Sequence, residues 1–233
     1  MLSIDLQQHV VAITGGFGAL GSTLARRIAE AGARVAVIDQ LAQPTQSLAA
    51  GTLILGNVNL AEPAAAQSAM DKIVRDYGQL DALVNVAGGF RWEKIEGGSV
   101  ESWDRMFALN LRSAVVASQA ALPHLLRRPS ASVVNIGAGA AQKAGLGMGA
   151  YTASKAGVAR LTEAMAEEFK DRGITVNAVL PSVIDTPANR ADIPSAEQHR
   201  WVKAEEIADL ICFLLSDRAR AITGSSIAIL GRV

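Results

Sequence analysis

Short runs rich in Val, Ile and Ala alternate with longer amphipathic stretches along the chain. The short runs are HVVAIT (9–14), RVAVID (34–39), TLILG (52–56), DALVNVA (81–87), SVVNIG (132–137), TVNAVL (175–180) and SIAIL (226–230). None shows the strict apolar–polar alternation of a strand with one wet face. Strands covered on both sides, as in a parallel sheet, read this way. Between them, helical spacing predicts helices near 19–31, 62–77, 100–126, 151–171 and 203–216, and Gly32, Gly78 and Gly173 stand where three of these would stop. Strand–helix alternation at this spacing predicts right-handed βαβ units and an α/β, doubly wound, mostly parallel sheet of seven strands with helices on both faces. The segment 185–202 fits neither a strand nor a long helix and reads as a lid or substrate loop.

Composition narrows the function. The 233 residues allow one domain, or two at most, and half of them are apolar. Charged residues make up only 19%, which favours a surface partly buried in an oligomer. Lys plus Arg and Asp plus Glu both total 22, so there is no basic excess for nucleic acid. No apolar run reaches membrane-spanning length, and the first residues, MLSIDLQQHVVAITGG, lack the basic start of a signal peptide. A single cysteine, Cys212 in IADLICFLL, fits a reducing cytoplasm and reads as a buried hydrophobe. His9, His124 and His199 have no partners at metal-ligand spacing and read as structural or exposed, so no metal is expected.

Directly after the first strand comes TGGFGALG (14–21), followed by a helix. Glycines there allow a tight turn and let backbone N–H groups meet a pyrophosphate at the positive end of the helix. Asp39 ends the next strand, 18 residues after Gly21. A carboxylate at that place can accept both ribose hydroxyls and would repel a 2′-phosphate. NAD(H) is therefore expected in preference to NADP(H), which stays possible.

With TGGFGALG go NVAGG (85–89), Asn110 in LNLRS, YTASK (151–155), PSVIDT (181–186) and TGSSIAILG near the end. In this order and spacing they resemble the short-chain dehydrogenase/reductase family over essentially the whole chain. The resemblance implies a single Rossmann-like domain over 1–233, a nicotinamide cofactor, and dimers or tetramers paired through helices 100–126 and 151–171. It implies cofactor contacts from Gly15, Phe17, Gly18, Ala19, Leu20 and Gly21, from Asp39, and from Asn57 and Val58, where the family often has an acid against adenine. It also implies contacts from Asn85, Ala87 and Gly88, from Tyr151 and Lys155, and from Pro181, Ile184 and Thr186 near the carboxamide. Lys155 would hold the nicotinamide ribose, and Asn110 would order a water relay to it.

Two positions depart from the family pattern. Ala19 stands where the family has a glycine, with Gly18 one place earlier, and Ala138 stands where it has a serine, thirteen residues before Tyr151. Both departures resemble the quinonoid dihydropteridine reductase branch, as do VAGGF (86–90), LPSVIDTPANR (180–190) and DIP (192–194).

Tyr151 and Lys155 are four residues apart and share one helix face. Hydride transfer to C=O or C=N leaves an anion that needs a proton. An ammonium about 4 Å from a phenol, at an effective dielectric near 20, favours the phenolate by roughly 4 kcal/mol. That exceeds the roughly 2.7 kcal/mol needed to lower the phenol by about two pKa units. The pair thus reads as the catalytic core, with Lys155 lowering the Tyr151 pKa.

A serine donor aimed at an oxyanion is worth roughly 3–4 kcal/mol. Its loss at Ala138 favours an activated, conjugated electrophile, such as a quinonoid dihydropterin, over a simple ketone. Ordinary alcohol/carbonyl exchange, for example on 3-oxoacyl groups, is the alternative. A non-catalytic nicotinamide sensor is a third reading, which leaves Asn110, Tyr151 and Lys155 unexplained. Gln142, Lys143 and Thr152 are candidate replacement donors, while Ser154 should bond the helix backbone. Phe90, Trp92 and Trp201 are candidates for an apolar wall around a small-molecule substrate.

Overall fold

The computed structural model describes residues 4–193 and 197–233. Seven strands form one sheet: β1 (Val10–Thr14), β2 (Arg34–Ile38), β3 (Leu53–Leu55), β4 (Ala82–Asn85), β5 (Ala131–Ile136), β6 (Ile174–Pro181) and β9 (Ser226–Ile229). Their spatial order is β3-β2-β1-β4-β5-β6-β9, and every pairing is parallel. The order reverses between β1 and β4, and a doubly wound sheet binds its ligand in the crevice at such a switch point.

Side-chain alternation along one strand feeds two cores. In β1, Val11 and Ile13 face helices α1 (Ala19–Glu30) and α7 (Ala204–Leu215), where Leu24, Ile28, Ile207 and Ile211 are fully buried. Val10 and Ala12 face the other way, toward Met70 and Ile73 of α2 (Pro63–Tyr77) and Ala117 and Ala121 of α4 (Ser113–Leu125). Both faces of the strand are dry, so no polar position interrupts its sequence.

The predicted helix 100–126 is three pieces. Helix α3 (Val100–Met106) opens at Ser99, whose hydroxyl accepts from the Ser102 N–H. A π-helical stretch, Phe107–Arg112, then widens the turn before α4. The longest helix, α5 (Gly149–Phe169), carries Tyr151 and Lys155.

The stretch read as a lid is partly ordered by its own small sheet. Strand β7 (Ile184–Asp185) pairs in parallel with β8 (Val202–Lys203), flanking α6 (Pro187–Asp192). Thr186 caps α6 by accepting from the Asn189 N–H, and Asp185 holds Arg190 at 2.5 and 2.7 Å. The last residue of the DIP motif, Pro194, lies outside the described residues. Among the described residues, no helix is long and apolar enough to cross a membrane.

Candidate active site

One cleft of about 1310 Å³ runs along the C-terminal edge of the sheet, across the switch point. That exceeds the ~300–1,000 Å³ of an ordinary ligand pocket, and a dinucleotide plus a substrate requires such room. The turn after β1 floors one end, lined by Gly15, Phe17, Gly18, Ala19, Leu20 and Gly21. Two glycines make this turn possible. Gly15 sits at φ +66°, and a Cβ on it would meet the Ala87 backbone at 2.8 Å. A Cβ on Gly21 would lie 2.2 Å from the Gly15 carbonyl oxygen, so the helix start can close onto the turn only without one.

Asp39, just past β2, is buried at the same end. Its Oδ2 accepts from the Phe17 N–H at 3.0 Å and its Oδ1 from the Leu41 N–H at 3.1 Å. Each oxygen keeps lone-pair capacity for a ribose hydroxyl. Around it the lining is Gln40, Leu41, Thr45, Val58 and Asn59, with no cation for a 2′-phosphate. This cradle, with a glycine turn at a helix start and a carboxylate beside it, fits a nicotinamide dinucleotide.

The other end holds the candidate chemistry. Tyr151 and Lys155 both line the cleft, one helical turn apart on α5. The Lys155 Nζ donates to the Ile136 carbonyl at the end of β5, at 2.7 Å. The expected electrostatics are reversed by burial. Desolvation, which penalises each charged form, holds the Tyr151 phenol above its ordinary value and brings Lys155 down to about 8. Burial is what moves the Tyr151 phenol, and it moves it up.

Asn110, at 1% exposure, sits in the π-helical stretch. Its Oδ1 accepts from the Gly89 N–H at 2.8 Å, and its Nδ2 donates to the Gly89 carbonyl and to Ser154 Oγ. It therefore ties the loop after β4 to α5. Asn110 Oδ1 and Lys155 Nζ both lie within 3.4 Å of the place where a Cβ on Gly88 would project. Ser154 in turn donates to the Tyr151 carbonyl, the backbone bond expected of it.

Ala138 lines the cleft at 5% exposure and presents a methyl group where a serine would carry a hydroxyl. None of the candidate replacement donors lies in the lining. The Thr152 hydroxyl donates to the Met148 and Gly149 carbonyls, while Gln142 and Lys143 are exposed outside the cleft.

Ala87, Gly88, Val58, Pro181, Ile184 and Thr186 all line the cleft as expected of cofactor contacts. Five other expected contacts do not. Asn85 is buried beneath the cleft, donating to Ser118 Oγ and Asn135 Oδ1 between sheet and helices. Asn57 turns the chain at φ +58°, beside rather than in the lining. Gln142 ends a short turn facing solvent. Trp92 is half exposed, but its ring covers Gly147, where a Cβ would sit 2.3 Å from the indole. It docks one loop on another. Trp201 is 7% exposed and sits just before β8 with its backbone beside Gly231, outside the lining.

Phe90 does line the cleft, its ring meeting that of Tyr151 in a T. The sequence reading missed Arg105, Leu109, Met148, Asn189, Ile193 and Leu230, all in the lining. Arg105 and Leu109 stand four apart, ahead of Asn110, a helical spacing that could have flagged that face. Among the described residues no cluster of His, Cys, Asp or Glu could hold a metal. His124 bonds Asp71 at 2.9 Å, and Cys212 is buried with its thiol pushed up to about 11.

Residues 9–197 match the profile of short chain dehydrogenases. The chain belongs to the short-chain dehydrogenase/reductase family. As a family member it is an NAD(P)-dependent oxidoreductase with a Rossmann-like fold. The 2-(S)-hydroxypropyl-CoM dehydrogenase 3 of Xanthobacter autotrophicus is 31% identical over 99% of this chain and 98% of that protein. A short chain dehydrogenase from Burkholderia cenocepacia, solved with NADP, is 33% identical with a TM-score of 0.89, covering 97% of this chain and 98% of that one. The 3-ketoacyl-(acyl-carrier-protein) reductase from Brucella melitensis, solved with NADH, is 25% identical with a TM-score of 0.88, at 97% and 98% coverage.

Proposed function

We propose that this family member transfers hydride between NAD(H) and an activated, conjugated electrophile, a quinonoid dihydropterin being one such compound. Tyr151 and Lys155 handle the proton. The bound nicotinamide supplies or takes the hydride. Tyr151 holds the phenolic proton that the developing anion takes. Lys155, with a pKa of about 8 and its Nζ on Ile136 O, can hold or pass a proton beside it. Asn110 keeps the Gly88–Gly89 backbone and α5 in register around that amine. Asp39, with its ribose-facing oxygens and no neighbouring cation, favours NAD(H) over NADP(H).

The observation that carries the substrate class is Ala138, buried in the cleft wall where a hydroxyl would grip a carbonyl. A simple ketone would forgo a donor worth roughly 3–4 kcal/mol. An electrophile that regains a stable conjugated ring on reduction needs that donor less. The relatives favour a second reading, ordinary alcohol/carbonyl exchange, since they include a hydroxypropyl-CoM dehydrogenase and a 3-ketoacyl reductase. Pairing as a dimer or tetramer through the α3–α4 and α5 faces belongs to the proposal as well.

NADH oxidation separates the readings when run with quinonoid dihydropterin, naphthoquinone, simple ketones and a 3-oxoacyl thioester. Quinonoid acceptors should turn over at least about 100-fold faster than simple ketones. Ala138→Ser should raise ketone reduction and leave quinonoid reduction unchanged. Wild-type ketone reduction at rates matching the quinonoid acceptors would favour the second reading.

A further inference from the structure

Among the described residues, three charged side chains line the cleft: Asp39, Lys155 and Arg105. Asp39 is held at the adenosine end by the Phe17 and Leu41 N–H groups. Lys155 is buried against Ile136 O. Arg105, in the last turn of α3, is exposed to solvent at the cleft and makes no hydrogen bond or ion pair among the described residues. The nearby acids on its own helix, Glu101 and Asp104, do not engage it. The other arginines of this region are committed: Arg91 to Glu93, Arg112 to the Ala61 carbonyl, Arg190 to Asp185. Ala108, Leu109, Phe90 and Met148 line the same cleft and are apolar. An exposed guanidinium in the lining of a cleft, with no protein group on its donors, matches a planar anion in charge and geometry.

We propose that Arg105 determines specificity by receiving a carboxylate, or another oxyanion of similar geometry, carried by the substrate outside its reacting bond. The inference rests on the reading of this cleft as a hydride-transfer site and deepens it by adding a negative charge to the substrate class. A neutral substrate would leave this exposed guanidinium to water alone. Arg105 is not placed in proton transfer, so its loss should raise KM and leave kcat nearly unchanged.

The test uses two matched pairs, naphthoquinone with naphthoquinone sulfonate, and butanone with acetoacetate. NADH oxidation gives kcat and KM. Calorimetric titration into the enzyme saturated with NAD⁺ gives binding without reduction of the compound. Arg105→Gln should weaken binding of the anionic member about 10-fold or more and leave the neutral member within twofold. Arg105→Lys should recover part of the loss, and added salt should shrink the anion's advantage in the wild type. Equal effects on both members, or no effect on either, would overturn the assignment. Failure of both pairs to oxidise NADH would count against the hydride-transfer reading for these compounds, while the titration would still decide the role of Arg105.

Discussion

The Phe90 and Tyr151 rings meet in a T, with centroids 5.0 Å apart and ring planes at 83°. The pair joins the loop after β4 to the start of α5, and so fixes the phenol against the cleft wall. Edge-to-face pairs contribute about 0.5–1.5 kcal/mol beyond burial. Phe90 is 58% exposed, so its truncation should cost under about 1 kcal/mol of stability.

Phe90→Ala should instead be felt in turnover, with kcat lower by roughly 3–10-fold. Burial holds the Tyr151 pKa up, so opening this side should lower it. The tyrosine limb of the pH–rate profile should move to lower pH. A profile that stays in place would assign Phe90 to packing alone.

Asp39 bonds two backbone N–H groups of the cradle and lines the cleft. Asp39→Ala should raise the NADH dissociation constant at least about 10-fold, because it removes ribose contacts and leaves the Phe17 and Leu41 donors unpaired. The NADPH constant should change far less. Fluorescence titration with both cofactors reads the ratio. An unchanged ratio would remove Asp39 from cofactor selection.

Lys155 makes stability depend on pH. Its folded pKa of about 8 lies below its ordinary value of 10.5. Between these values the unfolded chain binds a proton that the folded one does not, so this group's contribution to stability rises with pH across that window. The full difference is on the order of 3 kcal/mol. Without cofactor, the wild-type Tm minus that of Lys155→Met should therefore increase from pH 8 toward pH 10. A flat difference would mean that the amine is solvated or paired in solution.

Every strand of the main sheet was legible in the sequence to within about two residues, because the inner strands are buried on both faces and even the part-exposed edge strands β3 and β9 are short apolar runs. The glycine turn was legible as well, since Gly15 and Gly21 stand where no Cβ fits. The break in helix 100–126 was not, because one widened turn hardly disturbs the apolar spacing. Nor was the aim of Trp92 and Trp201. Trp92 packs its ring on Gly147 and Trp201 lies buried beside Gly231, both contacts distant in sequence. The reversed electrostatics of Tyr151 and Lys155 escaped for a related reason. Spacing shows that two groups share a helix face, but not how deeply each is buried.

The most direct measurement is made on Tyr151→Phe, comparing steady-state turnover with NADH affinity by fluorescence titration. With Tyr151 as the proton-transfer group, turnover should fall by about 10²–10⁴-fold while NADH affinity stays within about threefold. Turnover above a tenth of wild type, or loss of NADH binding in parallel with activity, would contradict the role given to this hydroxyl.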